Sequence, residues 1–216
     1  MKLVKTADGS YTLFNRQIGE HYHSINGALS ESMHVFIEAG FNRIEKDKIK
    51  IFEVGFGTGL NAFLTMLEAR KKQRFTVYHA IELYPVDKET YEKLALPPEY
   101  SDFRDDFVAL HRCSWDEEVQ TDDFFRLKKI KADLTVYDFE ESYDLVYFDA
   151  FSYDNQPEMW SQEVFDKIYR NMNKGGILVT YSAKGVVKRA LRNAGFEVER
   201  LPGALGKRHM VRATKN

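Results

Sequence analysis

The sequence predicts an α/β fold built on a doubly wound, mostly parallel sheet, and three observations lead to this expectation. From residue 49 onward, short apolar runs typical of buried strands alternate with stretches of helical spacing. A glycine-rich turn follows the first of these strands. The last two predicted strands are joined only by residues 202–207, too short a connection for a parallel crossover, so this pair must be antiparallel.

Each element has its own signal along the chain. Runs at 2–5 and 11–14 flank an Asp8-Gly9 turn and predict a hairpin. Apolar residues at helical spacing from Leu29 to Ile37 predict a helix that ends at Gly40. Seven sheet strands are predicted at 49–54, 75–83, 133–137, 143–148, 176–181, 196–201 and 208–213. Helices are predicted at 61–70, 87–94, 157–171 and 186–193, with one or two more in the charged stretch 97–131.

The composition fits a globular protein, since 44% hydrophobic and 14% aromatic residues are enough to fill one core. We expect a hairpin-and-helix extension over 1–45 and one main domain over 46–216. No apolar run approaches the roughly 18 residues of a membrane span, and the start lacks a signal-like apolar region. We therefore expect a cytoplasmic protein without a membrane partner. A single cysteine, Cys113, excludes an internal disulfide and a multi-cysteine zinc site.

Charge is distributed unevenly along the chain. The formal net charge of −2 argues against a uniformly basic nucleic-acid binder. Residues 165–216, however, hold 12 lysines and arginines against 3 acidic residues, whereas the first 164 residues hold 19 against 30. This basic segment indicates either a surface that faces a polyanion or a set of solvated helix faces, and both interpretations stay open here.

The string EVGFGTG at 53–59 places three glycines between a strand and a helix, where backbone turns tightly and approaches a ligand closely. A dinucleotide fingerprint requires glycine at position 60, which is Leu60, and no Gly-Lys-Ser/Thr ending marks a phosphate loop. The acid Glu53 suits an ammonium group, and Glu82, ending the second strand, stands where an acid accepts ribose hydroxyls. A ligand that carries an amine and a ribose but no phosphate at this position fits S-adenosylmethionine. The alternative is that the glycine-rich string forms a turn with only a structural role. The predicted cofactor-binding residues are Glu53, Gly55, Gly57, Gly59, Glu82 and Asp138.

Two further acids stand at predicted strand ends. Asp149 follows the strand at 144–148 and is expected at the carboxyl edge of the sheet, near the reactive methyl group. Asp138 follows the predicted strand at 133–137 and is expected nearer the adenine. A turn-capping role is the alternative for both. Because a carboxylate raises the pKa of a neighbouring amine, Asp149 is interpreted as a hydrogen-bond acceptor that orients the amine rather than as a strong base.

Several strings together resemble one family: GEHYHS at 19–24 followed by Gly27-Ala28 and Glu31, EVGFGTGLN at 53–61, YFDAF at 147–151, PEMW at 157–160, TYSAKG at 180–185 and GKRHM at 206–210. They are similar to the methyltransferase domain of the MnmC-type tRNA wobble-uridine modification enzymes, over about residues 9–210. The resemblance implies a Rossmann-like class I S-adenosylmethionine-dependent methyltransferase fold. In this fold a reversed last strand inserts beside the sixth, in agreement with the antiparallel final pair.

The resemblance also implies an activity and a partner. The activity is methylation of 5-aminomethyl-(2-thio)uridine to 5-methylaminomethyl-(2-thio)uridine, and the partner is a tRNA anticodon loop. Asp149, placed by its position at a strand end, is the candidate catalytic residue for this reaction. Bifunctional members carry a second, flavin-dependent oxidase domain, whereas no second dinucleotide fingerprint occurs here. We therefore expect no flavin, no metal, no oxidase activity and no obligate protein partner. The candidate substrate-binding residues are Tyr22, His23, Ser24, Lys207 and Arg208.

Two other functions stay open from the sequence. One is an N-methyltransferase for small amine metabolites, and the other is a tRNA- or nucleoside-binding module without turnover. The basic segment favours tRNA, because lysine and arginine neutralise phosphates. The glycine loop and Asp149 argue against a module without turnover. From the residues alone, without the resemblance, His23 is better explained as a surface residue than as part of a substrate pocket.

Overall fold

The computed structural model describes residues 1–216, and the chain begins with a small antiparallel sheet of three strands, β1 (Lys2–Lys5), β2 (Tyr11–Asn15) and β3 (Glu20–His21). The carboxylate of Asp8 closes the β1–β2 turn by accepting hydrogen bonds from Thr6 and from Ser10. A helical segment follows, in which α1 (Ala28–Ser32) continues directly into a π-helix over Met33–Glu38. The predicted hairpin and first helix are confirmed.

The main sheet has eight strands. In chain order these are β4 (Lys48–Val54), β5 (Phe75–Ile81), β6 (Glu118–Asp122), β7 (Phe125–Ile130), β8 (Tyr143–Phe148), β9 (Met172–Thr180), β10 (Glu197–Pro202) and β11 (His209–Thr214). Their order across the sheet is β10-β11-β9-β8-β4-β5-β7-β6. The five central strands β9, β8, β4, β5 and β7 are parallel, whereas β11 is antiparallel to both of its neighbours. The predicted reversed strand near the sheet end is confirmed.

Helices cover both faces of this sheet. The α-helices are α2 (Leu60–Lys72), α3 (Lys88–Lys93), α4 (Arg104–Arg112), α5 (Gln162–Arg170) and α6 (Gly185–Ala194), and short 3-10 turns span Phe41–Arg43, Pro98–Phe103 and Pro157–Trp160. Alternate residues of β4 point to opposite faces, so Ile51 packs in a core with Phe36 and Phe63, whereas Phe52 packs in a core with Phe165. Two cores on two faces confirm the doubly wound architecture. No helix is both long enough and apolar enough to cross a membrane.

The prediction of helices throughout 97–131 is wrong beyond α4. Residues 118–130 form the antiparallel hairpin of β6 and β7 instead. These two strands are additional to the prediction and the predicted strand at 133–137 is absent, so the sheet has eight strands rather than seven. In β7 the buried Phe125 and Leu127 alternate with charged residues, and the next inward position is the charged but buried Lys129. A lysine at a core position obscures the period of two that marks a strand.

The predicted strand at 133–137 is also wrong. This segment is a turn, because the Asp133 side chain accepts hydrogen bonds from the Thr135 amide, at 2.8 Å, and from its hydroxyl, at 2.7 Å. The third core strand therefore ends at Ile130, eight residues before Asp138. Asp138 is exposed and does not stand at a strand end, so the reason for placing it at the cofactor no longer holds.

Candidate active site

The carboxyl ends of β4, β5, β7 and β8 meet at one edge of the sheet, and a cavity of about 590 Å³ opens there. β4 lies between β5 and β8, so the strand order reverses beside it, and such switch points are where open α/β sheets bind ligands. The wall also receives residues from the N-terminal segment and from the start of α5. Its members include Tyr22, His23, Gly55, Gly57, Glu82, Asp133, Leu134, Asp149, Met159 and Val164.

The three glycines of the loop after β4 all have a left-handed backbone, and Gly59, with φ +73°, caps the start of α2 and lines neither cavity. Gly55 has φ +87°, and a Cβ atom there would lie 2.9 Å from the backbone oxygen of Asp149. Gly57 has φ +48°, and a Cβ atom there would lie 2.9 Å from the ring of Tyr22. Both positions combine a left-handed backbone with a close neighbour, so any other side chain would be strained and crowded. The glycines therefore bring Asp149 and Tyr22 against the loop.

Glu82 directly follows β5 and lines the cavity. Its carboxylate accepts hydrogen bonds from the amide of Gly57, at 3.0 Å, and from the amide of Tyr84, at 2.9 Å. Burial raises the pKa of Glu82 above its usual range, and these amide bonds act against that effect. Glu82 thus fixes the glycine loop and keeps free lone pairs toward the cavity.

Glu53 behaves differently from the other acids. It is fully buried, it does not line the cavity, and neither carboxyl oxygen has a hydrogen-bond partner in the protein. Burial raises the pKa of Glu53 well above its ordinary value, and the negative charge of Asp149 adds to the effect. An unpartnered buried carboxyl is costly, so it favours the neutral form or a nearby positive charge.

Asp149 stands at the centre of the site. It directly follows β8, its amide donates to the Val54 carbonyl at 3.1 Å, and its carboxylate accepts from the Asn61 side-chain amide at 2.8 Å. Burial raises the pKa of Asp149 to about 7, and the neighbouring charge of Glu31 contributes in the same direction. The carboxyl therefore titrates close to neutral pH.

A smaller cavity, of about 260 Å³, adjoins the larger one. The two share Tyr22, His23, Asp149, Ala150 and Phe151 in their walls. The wall of the smaller cavity is completed by Glu20, His21, Ser24, Ile25, Glu31, Tyr181 and Lys207. The structure thus brings Tyr22, His23, Ser24 and Lys207 together, as the candidate substrate-binding set requires, whereas Arg208 is exposed and lines neither cavity.

His23 is held in place rather than free at the surface. Its Nε2 atom lies 2.7 Å from the Thr58 hydroxyl, and its amide donates to Thr12 at 2.9 Å. Burial lowers the pKa of His23 to about 4, so the ring is neutral at pH 7. It links the N-terminal segment to the glycine loop as a neutral hydrogen-bonding group.

Sequence reasoning assigned no role to three residues of this site. Glu31, Tyr181 and Asn61 contact other wall residues, and all three are among the residues that carry the family resemblance. Membership in this set was the available signal. Asp133 lines the larger cavity, whereas Asp138 does not. No group of three or more His, Cys, Asp or Glu side chains is arranged to hold a metal ion.

Comparison with known families adds a decisive observation. Residues 103–216, just over half of the chain, match the family model described as S-adenosyl-L-methionine-dependent methyltransferase. The chain belongs to this methyltransferase family. The predicted class of fold, the enzyme class and the cofactor are thereby confirmed together.

Individual methyltransferase relatives can be named more closely. The tRNA 5-methylaminomethyl-2-thiouridine biosynthesis bifunctional protein MnmC of Nitrosospira multiformis is 29% identical over 92% of this chain and 34% of its own length. The protein of the same name from an Azoarcus species is 32% identical over 93% of this chain and 34% of its own length. The chain thus spans about a third of these relatives, and the resemblance to MnmC is confirmed.

A solved structure is similar over nearly the whole methyltransferase. The crystal structure of MnmC2 from Aquifex aeolicus has a TM-score of 0.83 at 26% identity and covers 99% of this chain and 70% of that one. The similarity therefore includes the N-terminal hairpin and helix as well as the main sheet.

The residues of the larger cavity fit S-adenosylmethionine. The left-handed glycine loop allows close approach, Glu82 offers acceptor lone pairs, and the apolar side chains of Leu134 and Met159 suit an aromatic base. Glu53 fits less directly, because its carboxyl is not in the cavity wall. When bound, S-adenosylmethionine supplies an electrophilic methyl group on sulfur.

Proposed function

We propose that this methyltransferase acts on the amine of a 5-aminomethyl-(2-thio)uridine at the wobble position of tRNA, giving the 5-methylaminomethyl base. The observation that carries the proposal is the wall shared by the two cavities, in which Asp149 faces both. One cavity fits the methyl donor, and the other gives an acceptor direct access to Asp149. The names of the relatives, which concern 5-methylaminomethyl-2-thiouridine biosynthesis in tRNA, support the choice of acceptor.

Asp149 is suited to prepare an amine. An alkylamine resembles lysine, whose pKa is about 10.4 in water, so it arrives as an ammonium ion. The Asp149 carboxylate accepts a hydrogen bond from this ion and orients the nitrogen, while Asn61 fixes the carboxylate at 2.8 Å. Because the pKa of Asp149 is about 7, its carboxylate can also receive the proton that the ammonium must lose before its nitrogen has a lone pair to attack the methyl carbon, and pass that proton to water. Proton acceptance adds to the orienting role inferred from the sequence.

The smaller cavity has a wall that suits a nucleobase. Tyr22 and Phe151 meet edge to face with ring centroids 4.9 Å apart, and both line it. A wobble base belongs to a single-stranded loop, from which it can be splayed out and stacked on aromatic rings. The turn between β10 and β11 carries Lys207 into this wall and leaves Arg208 in solvent, where a phosphate can reach it. These features support entry of one base while the nucleic-acid backbone stays outside.

A second candidate is a methyltransferase for a small amine. Three carboxylates, those of Glu20, Glu31 and Asp149, line the smaller cavity against the single ammonium of Lys207. This excess of negative charge attracts an amine whatever molecule carries it.

One experiment separates the two candidates. The protein is incubated with methyl-labelled S-adenosylmethionine and either tRNA that bears 5-aminomethyluridine or free alkylamines, and the products are identified by mass spectrometry of nucleosides and amines. We expect label in 5-methylaminomethyluridine. Methylated free amine without any labelled tRNA base would instead identify the small-amine enzyme.

A further inference from the structure

The smaller cavity already contains a primary ammonium group that belongs to the protein. The Lys207 Nζ atom forms an ion pair with Glu31 and lies 4.0 Å from the centroid of the Tyr181 ring. The Glu31 side chain is only 7% exposed, whereas that of Lys207 is 34% exposed. The pair thus joins a buried anion to a cation that reaches solvent.

The three carboxylates of this cavity are engaged differently. Glu20 accepts hydrogen bonds from Ser152 and Asn155, which belong to the loop after β8. Asp149 accepts from Asn61. Glu31 accepts from the Ser24 amide at 2.9 Å, and its other oxygen is bound to the ammonium of Lys207. Glu31 is therefore the carboxylate whose partner is an alkylammonium, the chemical group that an aminomethyl substrate carries.

An entering aminomethyl group must compete with Lys207 for Glu31. Displaced Lys207 then needs another anion, because an ammonium separated from its counter-ion beside a partly buried wall is disfavoured. Lys207 lies in the turn between β10 and β11, next to exposed Leu205 and Gly206, so its side chain can swing outward. A substrate that carries phosphates supplies the anion, whereas a free amine does not.

We propose that Glu31 and Lys207 form a charge-exchange pair that makes the smaller cavity selective for an amine carried on a phosphodiester chain. The substrate amine takes the Glu31 carboxylate, and the displaced Lys207 ammonium takes a phosphate. Glu31 and Lys207 are specificity-determining residues in this scheme, and Asp149 remains the catalytic group. The inference rests on the proposed function and names the feature by which the protein distinguishes tRNA from its free nucleoside.

The test compares kcat/KM for tRNA bearing 5-aminomethyluridine with kcat/KM for the free nucleoside 5-aminomethyluridine. Lys207→Met removes the internal competitor, so we expect kcat/KM for the nucleoside to rise about threefold or more and that for tRNA to fall about tenfold, mainly through KM. Glu31→Gln removes the carboxylate that both amines seek, so kcat/KM for the nucleoside is expected to fall. Exchange therefore predicts that kcat/KM for the nucleoside changes in opposite directions in the two variants. If the ion pair were only structural, removing either partner would change kcat/KM for the nucleoside in the same direction.

Lys184 provides a matched control. It also forms an ion pair, with Asp154, and lies 5.9 Å from the centroid of the Tyr153 ring, but it lines neither cavity. Lys184→Met should therefore keep the wild-type ratio of the two kcat/KM values. Melting temperatures of all variants show whether each is folded.

The outcomes are separable from those of the proposed function. If both cavity variants change nucleoside kinetics in the same direction, or leave the ratio unchanged, the pair is a structural tie and the exchange is refuted. If the wild type methylates neither substrate, the proposed function fails. Calorimetry of nucleoside binding then still tests the exchange, which requires tighter binding to Lys207→Met and weaker binding to Glu31→Gln.

Discussion

The carboxyl of Asp149 lies in the wall shared by the two cavities, and its titration predicts a pH dependence. Burial and the Glu31 charge raise its pKa to about 7, so the fraction of carboxylate increases as the pH rises through 7. If the carboxylate is the active form, kcat/KM for tRNA should fall tenfold for each pH unit below about 6. Asp149→Asn should lower the rate by roughly 10²–10⁴-fold, in the range of lost acid–base catalysis, with little change in S-adenosylmethionine affinity.

The pH profile of Asp149→Asn is the control for this assignment. The acceptor amine titrates near pH 10 in both proteins, so that part of the profile should persist. Only the limb near pH 7 should disappear in the variant. Wild-type turnover by Asp149→Asn, or an unchanged limb near pH 7, would show that the strand-end carboxyl is structural.

Gly57 predicts a second effect at the scale of one residue. Its φ is +48°, and a Cβ atom added there would lie 2.9 Å from the ring of Tyr22, so Gly57→Ala displaces Tyr22 from the cavity wall. We expect S-adenosylmethionine affinity to fall at least tenfold in calorimetry. Gly175→Ala is the matched control, because Gly175 has φ +75° but no atom within 4 Å of the added carbon. Each variant should lose about 1–2 kcal/mol of stability, because alanine is disfavoured in a left-handed backbone. Equal S-adenosylmethionine affinities in the two variants would contradict the assignment of the glycine loop to cofactor binding.

At the scale of elements, Glu20 ties the N-terminal sheet to the loop after β8. Its carboxylate accepts from the Ser152 amide at 3.1 Å, from the Ser152 hydroxyl at 2.9 Å and from Asn155 at 2.7 Å. Glu20→Ala should lower the free energy of unfolding by about 1.5–3 kcal/mol, the range for hydrogen bonds to a charged group. Hydrogen exchange should accelerate in residues 11–15 and 150–155. Glu45→Ala, at an exposed acid, is the control; uniform acceleration over the whole chain would argue against a local tie.

At the scale of the whole molecule, the basic segment makes a prediction about tRNA binding. Lys207 is paired with Glu31, so reversing its charge would also disturb the cavity, whereas exposed Arg208 tests the electrostatics alone. Arg208→Glu should weaken tRNA binding and reduce the slope of log affinity against log salt by about one unit, without changing S-adenosylmethionine affinity.

Lys72→Glu supplies the comparison for Arg208→Glu. It makes the same change in net charge at the end of α2, which returns from the cavity edge of the sheet to the opposite edge. Its salt slope should match the wild type. If the two variants bind tRNA equally well at low and high salt, the basic surface of residues 165–216 near Arg208 is only solvated and does not contact tRNA phosphates.

The sequence by itself determined the alternation of strands and helices, the antiparallel final pair, the glycine loop and the acids Glu82 and Asp149 at strand ends. These features depend on periodicity, connection length and residue order, which are local properties of a chain. The same local signals failed to predict β7, because buried Lys129 stands where the pattern of a strand requires an apolar residue. They also predicted a strand at 133–137, where the Asp133 side chain instead stabilises a turn by accepting a hydrogen bond from the Thr135 amide.

Only the tertiary structure decided which distant residues share the site. Glu31 and Lys207 pair across 176 residues, and His23 meets Thr58 across 35. Packing also decided the electrostatics, since the same carboxyl type is unpartnered at Glu53 and titrates near pH 7 at Asp149. The pKa and the partner of a polar group depend on burial and on neighbours from other elements, and strand register and helix packing set both.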